Sequence, residues 1–387
     1  MKEAIARATL RAARTVSPRR TALIHGFYGV RNVGDDAILQ SAAASVRGSG
    51  LDPVVVAWDP AVVREETGLP ALSARGGAGP LYRSMRTAGA FLLGGGGLIK
   101  DYGGSPASLR HWMRGLQVAA DVGVPTMTWS VGVDPLLYPE SERLVRETLS
   151  RVDAVTVRDT ESAERLRDLG VRQEVTVTAD PVPAYVARHR RDPTEGSAEP
   201  HIAVALRHWY AFQDRVADPE AFDRTLSALA DGLGEVCRRR GARVSFVPFR
   251  AVEGDDDRQV AARVAALMDP ETVTVIDDPA PDIGETIARL READVVVGMR
   301  LHAAVIATTL GVPTVGLSYA PKVSSYMDEV GLADWWTDMG KVRAEWVTER
   351  VESALDQRAR LRADLLAATD LMVEAYAVNG RILDTLT

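Results

Sequence analysis

Arg300, His302 and Lys322 carry the sharpest chemical signal in the chain. Met299-Arg300-Leu301-His302 follows the apolar run Val295–Val297 and Gly298, and Tyr319-Ala320-Pro321-Lys322 follows a second apolar run, Thr314–Leu317. Between them lies a stretch of small residues, Ala303 to Leu310, closed by Gly311-Val312-Pro313. The pattern predicts strand, helix, strand, the unit from which parallel sheets are built, with ligands beyond the carboxyl ends of the strands. A single Arg or His at a helix start reads as well as a cap or a surface residue. Three side chains able to carry positive charge at adjacent strand ends, in otherwise apolar sequence, predict a site for an anion.

The same logic finds further groups. Arg158 ends the run Asp153–Arg158, Arg207-His208-Trp209 tips Ile202–Leu206, and Arg250 tips Val244–Phe249. Arginine offers a bidentate fork to carboxylate or phosphate, lysine a point charge, and histidine a proton near neutral pH. Near the start, Thr21–Gly26 reads as a strand, followed by a loop with Gly29, Asn32 and Gly34 and by Asp35-Asp36, which start a helix to about Val46. Two readings of Asp35 stand: a helix cap, or a carboxylate that holds or deprotonates a sugar hydroxyl. The loop matches neither G-x-G-x-x-G nor a P-loop. Gly94 to Gly97 follow the apolar run Phe91–Leu93, so Gly95 and Gly96 are candidates for close backbone approach to a ligand. Asp255-Asp256-Asp257 lacks the alternating spacing of a calcium loop and reads as a solvated turn or helix start.

These groups must be held by an α/β chain of two doubly wound, Rossmann-like domains facing across a cleft. The expected boundaries are 1–187 for the N-terminal domain, 188–200 for a polar, Pro-containing linker, and 201–344 for the C-terminal domain. The helices of 345–387 are expected to cross back onto the first half. Residues 73–89, rich in Gly, Arg and Ser, read as a mobile connection. That stretch and 101–111 are expected to supply the acceptor's contacts.

Bulk properties narrow the partners. The chain has 387 residues and a net charge of -7, with both signs spread along it, which speaks against nucleic acid. A single cysteine, Cys237, allows no internal disulfide and no zinc cluster, and fits a reducing, cytoplasmic setting. No apolar run reaches the roughly 18 residues of a membrane span. Residues 1–20 read as a basic surface helix, with contact to an anionic membrane as the second reading.

By residues alone the chain is a two-domain transferase acting on an anionic donor. Its motifs also resemble the polysaccharide pyruvyltransferase family: GFYGVRNVGDDAIL (26–39), LLGGGGLI (92–99), VRDTESAERLRDLGV (157–171), TADP (178–181), LRHW (206–209) and MRLHAAVIATTLGVPTVGLSYAPK (299–322). The resemblance implies a fold similar to GT-B glycosyltransferases, and transfer of a pyruvyl group from phosphoenolpyruvate to sugar hydroxyls of a glycan or its precursor. The product would be a ketal, with phosphate released and no cofactor or metal. It further implies His302 as the main acid/base and Asp35 as the group acting on the acceptor. Arg158, Arg207, Arg300 and Lys322 would hold the donor, with Asn32, Gly95 and Gly96 among the binding residues. The family usually carries Asp before the Pro-Lys pair, where this chain has Ala320. A nucleotide-sugar glycosyltransferase, a silent glycan-binding relative, and a family member recruited to a small-molecule pathway remain open.

Overall fold

Seven strands, β1 (Thr21–His25), β2 (Asp52–Ala57), β3 (Ala71–Ser73), β4 (Ala88–Ile99), β5 (Thr126–Val133), β6 (Ala154–Val157) and β7 (Val175–Val177), form a first sheet. All pairs are parallel and the order is β3-β2-β1-β4-β5-β6-β7. A second parallel sheet takes β8 (His201–Ala205), β9 (Arg243–Phe246), β12 (Val273–Val275), β13 (Val295–Gly298), β14 (Thr314–Ser318) and β15 (Trp336–Asp338) in the order β12-β9-β8-β13-β14-β15. Two-residue strands β10 (Ala251–Val252) and β11 (Asp255–Asp256) make a separate antiparallel pair. This computed structural model describes residues 21–75, 78–85, 87–101, 105–191, 199–208, 219–276, 278 and 281–387. The expected helix of residues 1–20, Trp209, and 192–198 of the expected linker lie outside them, as do 76–77, 86 and 102–104 of the two expected acceptor stretches.

Both sheets follow the Rossmann order, in which the winding direction reverses beside the first strand: at β1/β4 in one and β8/β13 in the other. Their strands are apolar on both faces because helices cover both faces, and so they read as continuous Val/Ile/Leu runs rather than as alternating patterns. In the first sheet Leu23, Phe91 and Leu93 pack with Leu109, Trp112, Met113 and Leu116 of the helix Ala107–Asp121. Each such side chain, fully buried, contributes about 2 kcal/mol through removal of apolar surface from water.

Internal contacts divide the chain into two units. Unit 1 comprises Met1–Val30, Asp35–Pro181 and Met372–Thr387, and unit 2 comprises Arg31–Gly34 and Val182–Leu371. The chain thus changes unit at Pro181/Val182 rather than in 188–200, because the helix Val182–Val186 packs on the helix Leu301–Thr309. The helix Arg358–Tyr376 runs out of unit 2 and delivers Tyr376 and the helix Val378–Leu386 to unit 1. There the Trp129 indole N–H donates to the Tyr376 hydroxyl at 3.1 Å.

Local structure corrects several expectations. The first helix begins at Val33, not at Asp35, since Asn32 Oδ1 accepts from the Gly34 N–H at 3.1 Å and so caps it. The glycine run does not follow its strand but lies inside β4, pairing Gly94 with Trp129, Gly96 with Val131 and Gly97 with Gly132. Of 73–89, the described residues hold the end of β3 and the helix Ala78–Met85, with Met85 fully buried, so that part is structured.

Candidate active site

In unit 2 the candidate residues gather at the winding reversal. β13 ends at Gly298 beside Ala205 of β8, which places Arg300 and Arg207 just past neighbouring strand ends. Arg300 is the N-cap of the helix Leu301–Thr309, His302 its second residue, and Lys322 the second residue of the helix Pro321–Glu329. Arg207 and Arg300 are buried, while His302 and Lys322 are half-buried.

The guanidinium of Arg300 is already engaged. Its Nε donates to Asp257 Oδ2 at 2.7 Å, its Nη2 to Asp257 Oδ1, and Nη2 also to Asp255 Oδ1 at 3.2 Å. Asp255 also pairs with Arg250 Nη1 at 3.0 Å and lies 3.8 Å from Arg207 Nη2. Asp257 Oδ2 further accepts the backbone N–H groups of Phe249 and Arg250 at 3.0 and 3.1 Å. Asp255 and Asp257 are therefore no solvated turn; at 5% and 2% exposure they are buried counter-ions. Only Asp256, half-buried, serves as the expected cap, for the helix Asp257–Ala265. Burial works against the Arg300 charge, but Asp257 and Asp255 outweigh it and hold the guanidinium above its usual range. The bidentate fork expected for a substrate is spent on Asp257, so Arg300 acts as an anchored charge. Arg207, Arg250 and Arg300 gather at these two carboxylates, with Lys322 on the helix that follows β14.

Tyr319, directly after β14, completes the cluster. Its hydroxyl accepts from Arg207 Nη1 at 3.0 Å, and the Arg207 guanidinium carbon and Lys322 Nζ lie 4.9 and 5.4 Å from its ring centre. Gly34, which groups with unit 2, abuts His302: a Cβ there would overlap the imidazole at Nδ1. The short segment is tied to unit 2 by the Val33 N–H, which donates to the Phe249 carbonyl at 3.2 Å.

Unit 1 holds the other candidates. Arg158, 7% exposed, pairs with Asp180 at 3.3 Å and Asp159 at 3.2 Å. Burial opposes its charge, but Asp180, Asp159 and Asp134 raise its pKa above the usual value. It stands in a different unit from Arg207, Arg300 and Lys322. Asp35, half-buried in the first turn of its helix, has Oδ1 3.5 Å from where a Cβ on Gly96 would sit, and Gly96 has a φ of +79° that disfavours other residues. Gly95 has a packing reason instead, since a Cβ would meet Ile38 at 2.5 Å and Pro181 at 3.1 Å.

Residues 32–321 match the family model described as polysaccharide pyruvyl transferase. The chain belongs to that family. Among curated proteins, one of similar sequence is the amylovoran biosynthesis protein AmsJ of Erwinia amylovora, 24% identical over 300 residues covering 72% of this chain and 68% of AmsJ. Membership makes the chain a transferase enzyme, with pyruvyl transfer to a glycan as its coarse reaction. Solved structures with the same fold include a glycosyltransferase from Rickettsia africae (TM-score 0.61, 10% identity, 95% of this chain and 98% of that one). The S. aureus MnaA–UDP complex is another (TM-score 0.59, 12% identity, 94% of each). At such identities the likeness shows a GT-B-like fold of two Rossmann-like units and nothing of substrates. Among the described residues no helix is long and apolar enough to cross a membrane.

Sequence reasoning missed Asp255, Asp257, Tyr319 and Gly34 as parts of this site. Tyr319 and Gly34 sit inside the motifs quoted above, so their place in the chain was a usable signal. The two aspartates had none, because Arg300, the arginine they share, lies 43 to 45 residues downstream.

Proposed function

We propose that the donor is phosphoenolpyruvate and the product a cyclic pyruvate ketal on a glycan or lipid-linked glycan precursor. One observation carries this: unit 2 gathers Arg207, Arg250 and Arg300 at the winding reversal of its sheet, with Lys322 and an imidazole on the helices that follow β14 and β13. Such a cation-rich site at strand ends suits a small dianionic phosphate with an adjacent carboxylate. Lys322 and Arg207 bind the anionic groups, and Arg300 supplies a fixed charge.

The chemistry then follows. A proton moves to the methylene carbon of the enol, making it a methyl group and leaving an oxocarbenium-like centre at C2. One acceptor hydroxyl attacks C2 and gives up its proton to a base. A second hydroxyl attacks the same carbon and loses its proton as the C–O bond to phosphate breaks, closing the ketal. Each ketal costs one phosphoenolpyruvate and releases one phosphate, with no redox partner. His302 is the proposed acid/base of the enol, and the cations offset charge as the phosphate leaves. In unit 1, Asp35 is the proposed base for the acceptor and Arg158 a further donor cation; Asn32 and Gly96 are proposed as binding groups. No metal or cofactor is assigned to the reaction, and a cytoplasmic location fits a phosphorylated donor.

The test is calorimetric titration in chelator-containing buffer with phosphoenolpyruvate and, separately, a UDP-sugar. The expected result is phosphoenolpyruvate binding that Lys322→Ala weakens at least about tenfold, the value of a single charged hydrogen bond. Binding of the UDP-sugar alone would sink the assignment and favour a glycosyltransferase.

A further inference from the structure

We infer that Asp134 is a second acceptor carboxylate of unit 1: with Asp35 it flanks the bare backbone of Gly96 and Gly97, and the pair takes two neighbouring hydroxyls of one sugar. This rests on the ketal reading above and adds to it a residue and a substrate class, a sugar diol.

Ketal closure calls for two such groups. Two hydroxyls form C–O bonds to the same donor carbon, and each gives up a proton. One proton balances the proton taken up by the methylene carbon, and the other leaves with the phosphate. Asp35 is assigned to one hydroxyl, so a second acceptor of protons must stand at the same place on the sheet.

Strand register puts it there. Gly97 of β4 pairs with Gly132 of β5, and Asp134 follows two residues after Gly132. A Cβ on Gly96 would sit 3.5 Å from Asp35 Oδ1, on the helix Val33–Gly48. A Cβ on Gly97 would sit 3.9 Å from Asp134 Oδ2, with nothing nearer among the described residues. Gly97 also lacks the positive φ of Gly96. Neither strain nor crowding therefore requires a glycine at 97, whereas close approach of a ligand does.

The segment that carries Asp134 is held in place. The Asp134 N–H donates to the Ile99 carbonyl at 2.9 Å, and the fully buried Asp101 carboxylate accepts the Leu137 and Tyr138 N–H groups at 2.8 and 3.0 Å. A group fixed in this way loses little freedom when it binds. The other carboxylates at these strand ends have different duties. Asp101 is engaged by that segment. Asp159 caps the helix Thr160–Asp168 through the Ser162 N–H at 2.7 Å and pairs with Arg158, and buried Asp180 pairs with Arg158 as well. Asp134, half-buried, also faces the Arg158 charge, and the Arg158 guanidinium lies against Gly132, 2.9 Å from where a Cβ would be. A carboxylate beside one arginine keeps lone pairs for a hydroxyl.

The test is a cycle between side chain and hydroxyl. Methyl glycosides of glucose, galactose and mannose are titrated into the full chain by saturation-transfer NMR without donor. The best binder is then compared with its deoxy analogues, on the wild type and on Asp134→Ala. One deoxy analogue should bind the wild type about tenfold more weakly, the worth of one hydrogen bond to a charged group. Asp134→Ala should lose the same factor with the parent sugar and nothing further with that analogue. Gly97→Ala, whose methyl group the fold has room for, should keep the wild-type thermal midpoint and lose the sugar. Absence of binding by every glycoside overturns the inference, and so do losses that multiply in the cycle. Wild-type affinity in folded Gly97→Ala overturns it too, a measurement that holds even if Asp134→Ala does not fold. Phosphate release from phosphoenolpyruvate with the same sugars separates the two readings. Coupled binding without release removes the donor assignment and leaves the diol site standing. Release that is indifferent to Asp134→Ala does the reverse.

Discussion

His25, the last residue of β1, is buried in a setting that denies it a charge. Its ring packs against Phe91, His111 and Trp112 with centroids 5.8, 5.2 and 5.0 Å away, and neither ring nitrogen has a hydrogen-bond partner. Burial first, and His111 second, push its pKa from 6.5 down to about 3. An unfolded chain takes up this proton below about 6.5, whereas the folded one refuses it until about 3. Stability from this residue is therefore complete above 6.5 and declines as pH falls toward 3, by an upper limit of about 5 kcal/mol. Urea unfolding at a series of pH values should show the decline, and His25→Leu should flatten it. An unchanged slope in the variant would show that other groups set the acid limit. The same residue scale shows what sequence can and cannot say. Arg300 and His302 were visible because charge in an apolar run has few structural excuses. Asp255 and Asp257 were not, since three consecutive carboxylates look solvated until β10 and β11 fold them onto an arginine 43 to 45 positions away.

At the scale of elements, the parallel strands were legible because burial on both faces writes itself as an apolar run. Of the three-residue edge strands, β7 and β12 show in sequence as Val-Thr-Val, whereas β3 (Ala-Leu-Ser) and β15 (Trp-Thr-Asp) carry no β-branched run to mark them. Helix starts proved harder still. Asn32 rather than Asp35 caps the first helix, and that shift turns Gly34 into a helical residue facing His302. Gly34 has no positive φ to defend. By propensity alone, Gly34→Ala should stabilise the helix by up to about 1 kcal/mol. Its Cβ would nevertheless overlap the imidazole, so His302 must swing away from its place. The expected outcome is a thermal midpoint unchanged or raised, together with a fall of at least about 100-fold in phosphate release from phosphoenolpyruvate with a glycan acceptor, the usual worth of a placed acid/base. Full activity in a folded variant would mean that His302 need not stand where it does.

Over the whole molecule, the helical tail is divided: residues up to Leu371 group with unit 2, and Met372–Thr387 with unit 1. What sequence left dark was how polar the junction with unit 1 is. Asn379, fully buried, donates from Nδ2 to Ser130 Oγ at 2.9 Å and to the Tyr376 carbonyl at 3.0 Å, while its Oδ1 accepts from Thr156 Oγ1 at 2.7 Å. Ser130 in turn meets Thr178 Oγ1 at 2.8 Å and holds a φ of +49°, rare for a residue with a side chain. The last helix is thus joined to β5, to β6 and to the residue after β7 by a buried polar network. Such networks are costly to break in part, because each orphaned group keeps its desolvation penalty of about 1–3 kcal/mol. Asn379→Ala should therefore cost about 3 kcal/mol, more than the lost side-chain packing alone. The loss should be local in kind: hydrogen exchange should quicken in β5 and β6, while β13 and β14, whose cores lie wholly in unit 2, keep their protection. Equal quickening in both sheets would instead make the entire chain one cooperative unit. The crossing tail would then be a strap on a single folding domain rather than the closing element of one of two.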